Sequence, residues 1–368
     1  MINRVIISGG GTAGHIYPAL AVAQELRERG VEILFVGALG KMEIERVPKA
    51  GFRIVGLPIA GLQRRLTLRN LLVPLKMLKS MAMARRIIKD FNPDVVVGFG
   101  GYASAPVLRT AQRLGVRTVI QEQNSYAGLT NKMLAKRADK ICTAYEGMER
   151  FFAPEKIVLT GNPLRIKFED MELRRAQGYL HFGLKATGRT ILLTGGSLGT
   201  RTLNEAMMGL VNNGQMQSQN ADIQIIWQTG SYYHSEMESR VKSAAPGAMT
   251  IVSMAFIERM DLAYAVADVV VCRAGASTVS EIELLGKAAV FVPSPNVAED
   301  HQTKNARNLA DRGAALMVAD SEAQESLLGV AFALLRDEPR LSLIAAKAKL
   351  MGRAEATRDV ADVIMQKV

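Results

Sequence analysis

The chain has only two cysteines in 368 residues, Cys142 and Cys272, and each ends an apolar run. A disulfide framework is excluded. Both read as reduced core thiols of a cytosolic protein, with a single bridge between them as the weaker alternative. No stretch approaches the ~18 consecutive apolar residues of a membrane-spanning helix. The first residues, MINRVIISGGG, are a strand-length Val-Ile run ending in glycines without a small-residue cleavage pattern, so a signal peptide is not expected. Such a chain meets a membrane only at its surface. There is no P-loop lysine pattern, which argues against an ATPase, and no Asp-x-Asp pair, which argues against a diphosphate held by a metal ion. No metal and no cofactor is expected. Acidic residues vanish from one long segment: residues 46–89 carry eleven Lys and Arg and no Asp or Glu.

What is present is a globular composition, 48% hydrophobic and 22% charged, at a length that suits two domains of ordinary size. A net charge of +11 calls for an anionic partner such as a nucleotide, a nucleic acid or an acidic lipid. Short β-branched runs at 4–8, 33–36, 94–98, 117–121 and 157–160 alternate with helical patterns such as 18–28 and 131–137. The alternation predicts an α/β fold with a parallel sheet covered by helices. A second series begins at Arg189, with strands predicted at 190–194, 223–227, 250–252, 268–272 and 289–292.

The two series resemble each other. Ile6-Ile7-Ser8-Gly9-Gly10 matches Leu192-Leu193-Thr194-Gly195-Gly196, and Asp94-Val95-Val96-Val97 matches Asp268-Val269-Val270-Val271 in the same order. Two copies of one α/β unit are expected, although any two parallel-sheet domains share valine-rich strands and glycine turns. The boundary is placed at Gly161-Asn162-Pro163, which gives domains 1–162 and 163–350. Residues 351–368 form a tail whose amphipathic pattern suits a helix returning to the first domain.

Three glycine loops follow predicted strands. Gly9, Gly11 and Gly14 satisfy G-x-G-x-x-G between a strand and a helix, a geometry that brings backbone close to an anion at a helix N-terminus. A dinucleotide site would also want an acidic residue ending the second strand, where Val36-Gly37-Ala38 stands instead. The second loop is Gly100-Gly101-Tyr102-Ala103-Ser104. The third is Gly195-Gly196-Ser197-Leu198-Gly199-Thr200-Arg201, in which Ser197 and its neighbouring amides suit a diphosphate and Arg201 adds charge. Each loop alone is equally a plain strand-to-helix turn.

Together with Glu122-Gln123-Asn124, Gly161-Asn162-Pro163-Leu164-Arg165, Arg273-Ala274-Gly275-Ala276-Ser277-Thr278-Val279-Ser280-Glu281 and Asp300-His301-Gln302-Thr303-Lys304-Asn305-Ala306, these motifs closely resemble the MurG family of peptidoglycan N-acetylglucosaminyltransferases over nearly the whole chain. The resemblance implies the GT-B fold, two Rossmann-like domains with parallel sheets facing across a cleft. It implies transfer of GlcNAc from UDP-GlcNAc to the C4 hydroxyl of the muramic acid in lipid I, giving lipid II with inversion. The first domain would take the acceptor and the membrane, the second UDP-GlcNAc. Arg273, Ala276, Ser277, Thr278, Val279, Ser280 and Glu281 match the segment holding uridine, ribose and sugar, with Glu281 on the ribose hydroxyls. Gln302 matches a GlcNAc contact, Ile257 the position packing on uracil, and Ser197 and Arg165 diphosphate or sugar contacts. Thr12, Ala13, Gly14 and Asn124 match groups near the donor sugar and acceptor. Departures are small: Ala13 and Ala105 replace common glycines, Leu198 and Thr200 replace Gln and Ala, and His301 stands where some members have Gln.

Glycosyl transfer needs a base for the acceptor hydroxyl. His15, at the tip of the first loop, is the leading candidate, since imidazole titrates near neutrality; a capping or packing histidine is the other reading. Glu122 is the second candidate, or else a structural carboxylate bonded to nearby amides. Tyr102 orients the acceptor or packs on its own loop. Helix dipoles, Arg165, Ser197 and Arg201 would offset charge on the departing UDP.

Within 46–89, leucines and methionines interleave with cations, the pattern of an interfacial segment on anionic lipid; a core helix with a solvated basic face gives the same pattern. Nucleic acid is not expected as partner, because the segment lacks stacking aromatics. The implied location is peripheral, on the cytoplasmic face of the bacterial plasma membrane, with cell-wall synthesis proteins as possible further partners. Competing functions are another GT-B transferase with a different lipid acceptor, a nucleotide-dependent oxidoreductase, and a non-catalytic nucleotide-binding scaffold.

Overall fold

The computed structural model of the protein describes residues 2–59, 73–164 and 170–366. The chain divides into two compact units, Met1–Arg165 with Arg353–Val368, and Ile166–Gly352.

The first unit is built on seven strands: β1 (Arg4–Ser8), β2 (Glu32–Ala38), β3 (Arg53–Leu57), β4 (Val95–Gly98), β5 (Arg117–Glu122), β6 (Lys140–Thr143) and β7 (Ile157–Leu159). They pair in parallel in the order β3-β2-β1-β4-β5-β6-β7. The strands are apolar at consecutive positions because helices cover both faces. Val5, Ile7, Val95 and Val97 enter one core, while Ile6 and Val96 enter the other. The first core also takes Val360, Ala361 and Ile364, from the C-terminal helix Ala356–Met365. That helix is held at its end by Arg117, whose guanidinium donates to the carbonyls of Val363 and Ile364, both at 2.8 Å, and along its side by an Arg29–Asp362 ion pair.

The second unit has six strands: β8 (Arg189–Thr194), β9 (Ile223–Gln228), β10 (Thr250–Met254), β11 (Val269–Cys272), β12 (Ala288–Phe291) and β13 (Leu316–Met317). Their order, β10-β9-β8-β11-β12-β13, is again wholly parallel. Counted from its own first strand, each sheet therefore starts 3-2-1-4-5-6, and both units are Rossmann-like, as expected. The matched sequence pairs fall on equivalent strands, β1 with β8 and β4 with β11. The aspartates before the fourth strands do the same work in each unit. Asp94 accepts from the Asn3 and Arg4 amides at 2.7 and 2.9 Å, and Asp268 from the Thr190 amide at 2.8 Å. These amides hold the Asp94 carboxyl below the usual carboxylate range. Both cysteines are buried free thiols.

Strands β3, β6 and β13 were not expected. β13 has two residues, β6 has only Ile141 and Cys142 as apolar positions, and β3 lies inside the segment distinguished by its charge. That segment, 46–89, is thus not one continuous element. It holds the end of the helix Glu43–Lys49, strand β3, residues 60–72 that lie outside the described part, and most of the helix Val73–Phe91.

Candidate active site

In a doubly wound parallel sheet a ligand crevice opens at the strand C-termini where the strand order reverses. In the first unit that point lies between β1 and β4, and both neighbouring turns are glycine loops. Gly11 has φ +84°, and a Cβ there would meet the Tyr102 ring at 3.3 Å. Gly101, at φ +75°, packs so closely that a Cβ would lie 2.3 Å from the Gly10 carbonyl oxygen. The two loops therefore form one unit of structure, with His15 between them. His15 Nδ1 is 3.0 Å from the Gly10 carbonyl oxygen and 3.1 Å from Thr12 Oγ1. Thr12 stands at the N-cap position of the helix Ala13–Glu28 without a capping side-chain bond, and the helix begins with Ala13, Gly14 and His15.

Glu43, which sequence reasoning missed, pins this arrangement. It is fully buried, and its carboxylate accepts the Ala38 amide at 3.0 Å and the Gly11 amide at 3.1 Å. It also explains Gly10, where a Cβ would lie 2.1 Å from Glu43 Oε1. An acid does stand near the end of β2, then, but it is turned inward onto the loop. Burial, aided by the Glu43 charge, pushes the Tyr102 phenol above its usual value.

Glu122 ends β5 and is 1% exposed. Its Oε1 accepts the Asn124 amide at 3.1 Å and Asn124 Nδ2 at 3.2 Å, and its Oε2 accepts the Gly128 amide at 2.9 Å and Asn131 Nδ2 at 2.8 Å. Asn131 connects this cluster to Gly100, so His15, Tyr102, Glu122 and Asn124 are brought to one edge of the sheet.

In the second unit the reversal lies between β8 and β11. Gly196 and Gly199 take φ +88° and +81°, and a Cβ on Gly199 would lie 2.0 Å from the Thr229 carbonyl oxygen. Ser197 is exposed on this loop, just before the helix Arg201–Val211. Gln228, a second residue missed in the sequence, ties the neighbouring loops together. Its Nε2 donates to Thr194 Oγ1 at 3.0 Å and the Gly196 carbonyl at 2.9 Å, and its Oε1 accepts the Ile257 amide at 2.8 Å. The Ile257 side chain is turned inward at 2% exposure, whereas its neighbour Phe256 is 53% exposed.

Arg273 follows β11, but its guanidinium is engaged internally, on Asp320 at 2.6 Å and the Val292 carbonyl at 2.8 Å. The helix Ala276–Leu285 starts there. Ala276, Val279 and Ser280 are buried, and the Val279 amide donates to the Gly275 carbonyl at 3.0 Å, while Ser277, Thr278 and Glu281 are half-buried. Glu281 Oε2 accepts from the Tyr264 hydroxyl at 2.8 Å. Burial pushes the Glu281 carboxyl up to about 7, against the lowering effect of that hydrogen bond. Gln302 lies in the first turn of the helix His301–Ala310, where its Oε1 accepts the Ser294 amide at 2.9 Å. The same helix reaches the Ala274 carbonyl through Asn305 at 3.3 Å. Arg165 lies outside the described residues.

Family models match both halves: the glycosyltransferase family 28 N-terminal domain over residues 5–143 and the family 28 C-terminal domain over residues 190–363. The chain belongs to glycosyltransferase family 28. A relative from Parabacteroides distasonis, named UDP-N-acetylglucosamine--N-acetylmuramyl-(pentapeptide) pyrophosphoryl-undecaprenol N-acetylglucosamine transferase, is 47% identical over 99% of this chain and 98% of its own. A relative of the same name from Bacteroides fragilis is 50% identical over 92% of this chain and 89% of its own. Among solved structures, Acinetobacter baumannii MurG matches with a TM-score of 0.79 at 32% identity, covering 99% of this chain and 100% of that one. Both family 28 matches contain a strand-order reversal with its glycine loops, and the C-terminal one also contains Gln228, Glu281 and Gln302.

Proposed function

We propose that this family 28 glycosyltransferase transfers N-acetylglucosamine from UDP-N-acetylglucosamine to the muramic acid C4 hydroxyl of lipid I, forming lipid II. The observation that carries this is the name borne by a relative 47% identical along almost the full length of both chains. The second unit takes the donor. Glu281 accepts hydrogen bonds from the ribose hydroxyls, the amides at the start of the helix Ala276–Leu285 and around Ser197 receive the diphosphate, and Gln302 meets the sugar. At the 256–257 turn the Ile257 side chain is turned inward, so the turn meets uracil with the Ile257 backbone and the exposed Phe256 ring.

In the first unit, His15 takes the proton from the C4 hydroxyl as its oxygen bonds to the anomeric carbon and the bond to UDP breaks. The Gly10 carbonyl can only accept, so it favours the tautomer with hydrogen on Nδ1, which leaves Nε2 as the basic nitrogen. Glu122, with four amide donors on its two oxygens, shapes the turn that carries Asn124. The test is transfer of labelled GlcNAc to a lipid I analogue. Release of UDP with formation of the β-linked disaccharide lipid is expected, and no product with lipid I alongside turnover of another lipid acceptor would overturn the assignment.

The same unit is proposed to rest on anionic lipid. On the helix Val73–Phe91, Leu75 and Leu78 are 63% and 65% exposed, each followed by an exposed cation, Lys76 and Lys79. Among the described residues no helix is long and apolar enough to cross a membrane. The chain should co-sediment with phosphatidylglycerol or cardiolipin vesicles and be released by salt. Equal binding to neutral vesicles would refute this.

A further inference from the structure

Tyr264 has had no part in the chemistry so far. It sits in the helix Met260–Val266, 1% exposed, and its hydroxyl donates to Glu281 Oε2 at 2.8 Å. The helix that carries it is rigidly mounted. Asp261 accepts two hydrogen bonds from Arg259, at 2.8 and 2.9 Å, and pairs with Arg174. The neighbouring helix Met171–Phe182 approaches so closely at Gly178 that a Cβ there would lie 2.9 Å from the Leu262 carbonyl oxygen. A buried phenol needs a polar partner, and a carboxylate is the strongest acceptor for it. A glutamate side chain otherwise has three torsions to sample, and ordering it on ligand binding costs affinity.

We infer that Tyr264 is a positioning residue for the donor: it clamps one oxygen of Glu281 in advance and so presents the other to the ribose hydroxyls. This rests on the proposed role of Glu281. The hydrogen bond also has an electrostatic effect. Burial disfavours the ionised carboxylate that can accept from two hydroxyls, and the Tyr264 hydroxyl opposes this. Among the described residues, the titratable groups that respond to the Glu281 charge are Tyr264 from its helix and Cys272 from β11. Burial and that charge push both upward, so they stay neutral as Glu281 titrates.

The experiment uses the full chain, with UDP binding and donor kinetics followed against pH for wild type, Tyr264→Phe, Glu281→Gln and the double variant. Tyr264→Phe is expected to raise the donor KM by about tenfold, the worth of one charge-assisted hydrogen bond, with kcat nearly unchanged. It should also move the midpoint of the KM–pH profile to higher pH. Glu281→Gln abolishes that midpoint, and adding Tyr264→Phe to it changes little more. Glu281→Asp, which draws the carboxylate back from an intact Tyr264, should reproduce the KM rise and guards against a packing defect in the phenylalanine variant. An unchanged KM and midpoint in Tyr264→Phe, with Glu281→Gln impaired, overturns the role of Tyr264 alone. Unchanged UDP binding in Glu281→Gln overturns the role of Glu281 and this inference with it.

Discussion

His15 Nδ1 lies 3.0 Å from the carbonyl oxygen of Gly10. A backbone carbonyl offers no proton, so this contact orients the imidazole and selects its tautomer, much as a second-layer carboxylate does in other enzymes. His15→Ala should lower kcat by about 10²–10⁴-fold, the usual contribution of a general base, while UDP binding to the variant persists. Steady-state kinetics together with UDP titration check both halves. Full turnover in the variant would remove His15 as the base.

Glu281 gives the empty protein a pH-dependent stability. Its folded carboxyl, at about 7, stands above an ordinary value near 4.5, so the folded state holds a proton that the unfolded chain has released in this window. Stability from this group is therefore present in full below the lower value and is lost as pH rises towards the upper one. Denaturant midpoints for wild type should fall across that window relative to Glu281→Gln. Parallel curves for the two proteins would contradict the raised value.

Glu43→Ala should destabilise the first unit, because the Ala38 and Gly11 amides lose their acceptor. Leaving a buried donor unsatisfied costs about 1–3 kcal/mol, the larger part here falling on Ala38. A urea melt reads this directly, and an unchanged midpoint would show that water replaces the carboxylate.

Gln228→Leu should weaken donor binding and stability together. It keeps the volume but leaves the Ile257 amide and the Gly196 carbonyl without their partner, at a cost of about 1–3 kcal/mol. A raised donor KM with a lowered melting temperature is expected. A lowered melting temperature with an unaltered KM would mean that the loops hold their shape without it.

The strands beside each crevice are legible in the sequence because they are covered on both faces and end in glycine. Ile6-Ile7-Ser8-Gly9 and Val95-Val96-Val97-Gly98 carry that signal without help from the rest of the chain. Edge strands such as β3 and β13 need fewer apolar residues and leave a weaker trace. Within the candidate site, residues that sit on the loops are legible, whereas those that hold the loops are not. Glu43, Gln228 and Tyr264 act across separations of 32, 29 and 17 residues. Nothing in their neighbours marks the direction in which they point. Ile257 is singled out by resemblance alone, and only the fold reveals that its side chain is turned inward while Phe256 beside it is exposed.

Val360, Ala361 and Ile364 share a core with Val5 and Ile7, so the core that the early strand β1 enters is completed only after the second unit has been made. The second unit, contained in residues 166–352, has its whole sequence available sooner. Vectorial synthesis ordinarily lets an N-terminal domain mature first. Here that schedule is inverted, and the nascent seven-stranded sheet waits with part of one face uncovered until the helix Ala356–Met365 has been made.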